Sequence, residues 1–119
     1  MNKRQATKWV KALRSGKYQQ GKEVLFSEGR YCCLGVLCEI SEIEKNERGY
    51  FVDSMGFQME AVLSGVAGTK LGLEHGDGAP NSGTVEIGGT AHLSLAIAND
   101  SGASLADIAT WIESNYKQL

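Results

Sequence analysis

The sequence predicts an α+β fold, with three or four helices packed against a small, mainly antiparallel sheet. Three observations predict it. Apolar residues recur at helical spacing behind good capping residues near both ends of the chain. Short β-prone runs at Val24–Phe26, Tyr50–Val52 and Thr84–Ile87 lie between glycine-bearing turns. The 119 residues, 42% hydrophobic and 22% charged, suit one globular domain over 1–119 rather than a disordered chain.

The elements follow in order. Asn2 is the N-cap of a first helix, with Gln5 three residues on as in a capping box. Ala6, Trp9, Val10 and Leu13 form its apolar stripe, and Arg4, Lys8 and Lys11 its opposite face. Ser15 and Gly16 end it. A polar connection, the Val24–Phe26 strand and a Ser27-Glu28-Gly29 turn come next. A second helix is expected from Cys32 to Glu44. A glycine inside a helix costs about 1 kcal/mol relative to alanine, so Gly35 points to close approach of another backbone or a ligand.

Residues Tyr50–Val52 read as strand. Gln58–Ser64 reads as a helix presenting Met59, Val62 and Leu63, ended by Gly65. The 65–90 stretch, holding eight of the 15 glycines, reads as loop apart from the Thr84–Ile87 strand. Ala91–Asn99 fits both periods, and its alanine content favours helix. After the Asn99-Asp100-Ser101-Gly102 turn, Ser104 and Asp107 open a last helix. Its buried stripe is Leu105, Ile108, Ala109, Ile112 and Tyr116, with Trp111 beside it.

Composition excludes several classes of function. No apolar run is long enough to span a bilayer, and the N-terminus lacks the apolar core of a secretory signal. A cytoplasmic protein is therefore expected. The pI near 5.7 argues against a generic nucleic-acid binder. The last helix begins like part of a helix-turn-helix, but its surroundings are acidic, so DNA is not expected as a partner. The net charge of -2 conceals a division. Residues 1–22 carry seven basic residues and no acid, while the remainder carries five against 14 acidic ones. Such asymmetry marks either a surface for an acidic partner or a segment neutralised by its own acidic body.

Catalytic motifs are sparse. The cysteines are spaced C-C-x4-C, with His75 and His92 far away, which is not a structural zinc pattern, and no metal or other cofactor is expected. Cys33 and Cys38 fall on an apolar stripe and read as core thiols. Cys32, at a helix N-terminus, is a candidate nucleophile with His92 as its base, because the helix dipole lowers a thiol pKa. The Gly65–Lys70 run lacks P-loop spacing, and Gly76-Asp77-Gly78 lacks the third glycine of a dinucleotide fingerprint.

Three stretches together carry a resemblance. They are Trp9–Gln20 (WVKALRSGKYQQ), Tyr31–Cys38 (YCCLGVLC), and the Asn99–Gly102 turn with the helix after it. Together they resemble a family of small uncharacterised phage and prophage proteins, with Leu105 standing where that family usually has phenylalanine. The resemblance implies a phage accessory protein acting in the bacterial cytoplasm.

Placed on the elements, Arg14, Lys17, Tyr18 and Gln20 follow helix one, Arg30 and Tyr31 precede helix two, and Asn99 and Asp100 form the last turn. Polar groups at element ends converge readily on a site, so these eight are the expected ligand-binding residues. The alternative for Asn99 and Asp100 is turn formation. The favoured reading is a non-enzymatic protein that binds a small anionic ligand, with counter-defence by sequestering a nucleotide immune signal as its concrete form. Arg14, Lys17 and Arg30 would then contact phosphates, and Tyr18, Tyr31 or Trp9 would stack on a base. A homo-oligomer is expected with it. The second reading is an inhibitor that docks a host defence protein through the basic first helix. The third is a thiol enzyme using Cys32.

Overall fold

The structure, a computed structural model, describes residues 1–119. Five α-helices enclose the core, and three small sheets lie between them. The first helix, α1, spans Lys3–Arg14, and the Asn2 side chain accepts the Gln5 N–H at 2.8 Å. Gly16 takes a left-handed φ of 75° just beyond it. Strands β1 (Gln19–Gln20), β2 (Phe26–Ser27) and β3 (Arg30–Tyr31) form one sheet in the order β1-β3-β2. The β1–β3 pair is parallel and β2–β3 antiparallel. Glu28 and Gly29, both at positive φ, make the tight turn between β2 and β3.

Helix α2 runs Cys33–Ile40, shorter than the expected 32–44. Glu42 adopts a φ of 57°, and the Ile43 N–H returns to the Cys38 carbonyl, which stops the helix without a glycine. Cys33–Cys38 is buried on every side, as befits a helix apolar all round. Gly35 meets its expectation: a Cβ there would overlap the Leu25 carbonyl oxygen.

The 58–64 helix does not form. The Asp53 carboxylate accepts the Met55 and Phe57 N–H groups, each at 2.9 Å, and turns the chain into a hairpin. Strand β5 (Gln58–Met59) then pairs antiparallel with β4 (Phe51–Val52). Ser64 begins a helix rather than ending one: α3 spans Gly65–Leu71, and the Ser64 hydroxyl accepts the Ala67 N–H. The glycine-rich stretch is therefore not loop throughout. It also supplies β6 (Val85–Ile87), which pairs antiparallel with β7 (Thr90–His92).

Ala91–Asn99 is helix in its second half only, and Leu95 and Ile97, which would alternate in a strand, lie in that helix. The run divides at Ser94, with β7 before it and α4 (Leu95–Asp100) after it. Helix α5 (Leu105–Asn115) carries the expected stripe as far as Ile112, and Tyr116, only partly buried, opens a 3-10 turn over Tyr116–Gln118 instead of extending it. Helices α1, α2, α4 and α5 pack around Trp9, Leu34, Leu37, Ile108 and Ile112, all fully buried. No helix is long and apolar enough to cross a membrane.

The Gly35 contact yields a quantitative expectation. Gly35→Ala forces backbone against backbone and costs roughly 3 kcal/mol or more of stability, measured by urea unfolding. A loss under about 1 kcal/mol would mean that the Leu25 segment yields freely.

Candidate functional site

The residues expected to bind a ligand divide into two groups. Asn99, Gln20 and Asp100 converge, but on one another. Asn99 is fully buried. Its Oδ1 accepts the Gln20 Nε2–H at 2.9 Å and the Cys33 N–H at 3.1 Å. Its Nδ2 donates to the Gly21 carbonyl at 2.9 Å and to Asp100 Oδ1 at 3.3 Å. Gln20 also donates to the Ala103 carbonyl, and Asp100 accepts the Glu23 N–H at 2.8 Å. The three side chains tie the end of α4 to the strand after α1 and to the start of α2. Asn99 spends its hydrogen-bonding capacity inside the fold, which makes it architecture rather than a ligand group, while Asp100 stays exposed with its Oδ2 unpartnered.

Tyr31 is likewise engaged. Its hydroxyl donates to Glu39 Oε1 at 3.0 Å, and Lys45 Nζ approaches the same oxygen at 2.8 Å. The Lys45 ammonium stands 4.2 Å from the Phe26 ring centre and 5.0 Å from that of Phe51, within cation–π range. The hydrogen bond from Lys45 is the main cause holding the Glu39 carboxyl below its usual range. Burial, then Glu39, raises the Tyr31 phenol. Trp9, an expected stacking residue, is fully buried and donates Nε1–H to the Cys33 carbonyl at 2.9 Å. Arg14 makes a bidentate pair with Glu113 at 2.9 and 3.2 Å, bridging α1 to α5. Arg30 is exposed on β3.

Cys32 does not have the environment of a nucleophile. It is buried, its Sγ accepts the Gly35 N–H, and burial pushes its thiol up to about 11. Burial likewise raises Cys38, to about 12, and Cys33. Desolvation outweighs the helix N-terminus that would otherwise lower the Cys32 pKa. His92, its expected base, lies on β7 opposite Val85.

The accessible chemistry lies along the seam between α1 and α2. A cleft of about 690 Å³ is walled by the first turns of α1 and the end of α3, with the end of α2 as its floor. Arg4, Lys8 and Lys70 line it together with Glu42, while Gln5 donates to the Ser41 hydroxyl across the floor at 3.3 Å. A second cleft of about 390 Å³ shares Lys8 and Ile40 with the first and continues past Lys11 to Lys17 and Tyr18. The ion pairs of the fold are Arg14–Glu113 and Lys45–Glu39, so none of these five cations has an anionic partner. Lys17 Nζ is 5.7 Å from the Tyr18 ring centre at the far end. Of the eight residues expected to bind, Lys17 and Tyr18 lie in this trough.

The sequence signal for the trough is the run of unopposed basic residues before residue 23. Lys70 carried no signal, because its stretch reads as loop rather than as a helix turned toward α1.

Fold and trough together define a small α+β protein with a cationic surface groove, supported by a core of protonated thiols. The chain belongs to the family described as a domain of unknown function (DUF8296), whose model matches residues 1–116. No curated protein and no solved structure matches it.

Two measurements check these assignments. Asn99→Ala orphans the Cys33 N–H and the Gly21 carbonyl and leaves the Gln20 amide with the Ala103 carbonyl alone. At ~1–3 kcal/mol for each buried unsatisfied group, the loss is about 3 kcal/mol or more by chemical denaturation. A near-neutral result would return Asn99 to the list of ligand groups. Iodoacetamide should label all three cysteines slowly in buffer and rapidly in urea, as read by mass spectrometry. Fast labelling of Cys32 alone in the folded protein would restore the nucleophile.

Proposed function

We propose that the protein binds a small anionic ligand, without catalysis, in the trough between α1 and the ends of α2 and α3. The observation that carries this is the set of five cations, Arg4, Lys8, Lys11, Lys17 and Lys70, that line two adjoining clefts against the single acid Glu42 and form none of the fold's ion pairs. Charges left unpaired around a concavity focus field into it and raise the local concentration of anions. Tyr18 at the far end offers an aromatic surface, which suits a nucleotide whose phosphates lie nearer Lys8. Sequestering a nucleotide immune signal during phage infection is the biological form this reading takes, supported by the resemblance to phage proteins. The Cys32 thiol, buried and held protonated, gives no support to the thiol-enzyme reading.

The exposed stripe of Arg4, Lys8 and Lys11 favours a second reading, docking on an acidic host protein. Charge reversal at Lys8 and Lys11 does not separate the two, because both residues line the trough. Ser41→Trp does, since it fills the larger cleft and leaves the charges of α1 in place.

The test is calorimetry and thermal unfolding against inorganic tripolyphosphate, adenosine nucleotides and cyclic dinucleotides at low salt. At least one probe should raise Tm, by mass action on the folded state. Lys8→Glu with Lys70→Glu should weaken binding tenfold or more, and added salt should weaken it progressively. Absence of binding across the panel at millimolar concentration would overturn the ligand reading. Retention of a host-protein complex by Ser41→Trp would favour docking.

A further inference from the structure

The other flank of α1 borders a separate concavity. Lys3, Thr7, Val10 and Arg14 recur at helical spacing and share one face, which turns toward α5 while Arg4 and Lys8 turn toward the trough. A cleft of about 320 Å³ lies along that face, closed on its far side by Glu113 and Tyr116. This volume is enough for a small ligand. The floor is apolar. Ala6 and Val10, both buried, belong to the stripe of α1, and Tyr116 packs partly buried beside them. Lys3 and Lys11, both exposed, line the same cleft and take part in none of the fold's ion pairs.

The cleft already holds one carboxylate. Arg14 donates to both oxygens of Glu113, at 2.9 and 3.2 Å, and to the Thr110 hydroxyl at 3.2 Å. The side chains of this pair are 39% and 60% exposed, so water competes for both charges and the pair is weakly held. The guanidinium is thus presented in the geometry that recognises a carboxylate, with an apolar surface beside it and a partner that exchanges readily. An uncharged apolar molecule would leave this fork unused, and a wholly polar anion would leave the floor uncovered. A molecule that joins a carboxylate to an apolar body uses both.

We infer that the α1–α5 cleft is a second binding site, for a small carboxylate with an apolar body, and that Glu113 is its internal competitor. The carboxylate of the ligand replaces that of Glu113 on Arg14, Lys11 adds a second positive charge, and the apolar body covers Ala6, Val10 and Tyr116. Binding here does not depend on the anion-binding reading of the trough, which lies on the opposite flank of α1.

The test is amide NMR titration of the intact chain with 4-phenylbutyrate, using 4-phenylbutanol and acetate as probes that lack the charge or the apolar body. 4-Phenylbutyrate should shift the amides of Thr7, Val10, Glu113 and Tyr116, and should bind about tenfold more tightly than either other probe. Glu113→Gln removes the competitor and should tighten binding about two- to fivefold, the range open to exposed ion pairs. Glu113→Ala serves if that variant does not fold. Asp107→Asn removes an equal charge at the other end of α5 and should leave the affinity unchanged. Shifts confined to the trough, no shift at millimolar probe, or equal binding of the alcohol overturns the site. Absence of a gain in the Glu113 variants, or the same gain in Asp107→Asn, overturns the role of Glu113.

Discussion

A single buried carboxamide, that of Asn99, ties together the segment after α1, the start of α2 and the end of α4. Its oxygen receives a side-chain amide from the segment after α1 and a backbone N–H from the first turn of α2, and its nitrogen donates to a carbonyl beside β1. Neither an acid nor an aliphatic side chain can do this, because the site needs an acceptor and a donor on one planar group. In a buried setting such bonds are costly to leave unmade, so the site fixes one arrangement of α1, α2 and α4 rather than merely favouring it. The expected convergence of element ends does occur, then, but its product is architecture. The apolar contacts of Trp9, Leu34, Leu37 and Ile108 fill the space that this hub defines.

That arrangement explains why so much positive charge stays unpaired in a chain of net charge -2. Helix α1 turns its apolar stripe inward against α2 and α5, which leaves Arg4, Lys8 and Lys11 facing outward along the α2 seam. Glu113 reaches Arg14 and Glu39 reaches Lys45, and Glu42, which lines the larger cleft, closes no ion pair with the trough cations. The bland reading of the basic segment, neutralisation by its own acidic body, holds for Arg14 alone among its side-chain ion pairs.

Much of the fold was legible where local chemistry decides it. The caps at Asn2 and Ser104, the stripes of α1 and α5, the Glu28-Gly29 turn and the close approach at Gly35 all follow from residue types at fixed spacings. The misreadings share a cause, which is that a side chain or a rare backbone state overrode the periodic pattern. Asp53 turned 58–59 into strand by capturing two backbone N–H groups, although Met59, Val62 and Leu63 sit at helical spacing. Glu42 ended α2 in a conformation usually marked by glycine. Ser64 started α3 in a stretch whose glycines read as loop. The candidate site was less legible. The basic run pointed to α1, but Lys70, Ser41 and Gln5 meet it only through the tertiary fold.

The reach of the Asn99 hub along the chain also bears on how the protein comes to be made. Its partners Cys33, Gly21 and Gln20 lie 66, 78 and 79 residues away. Helix α1, synthesised early, packs chiefly on α5, synthesised late. During vectorial synthesis the Cys33–Cys38 segment, apolar on all sides, therefore emerges long before α4 and α5 arrive to cover it. Contacts so distant in sequence delay closure of the core, and until then this segment presents sticky surface and reactive thiols to its surroundings. The three cysteines inert in the finished protein are, for a growing chain, its most vulnerable stretch.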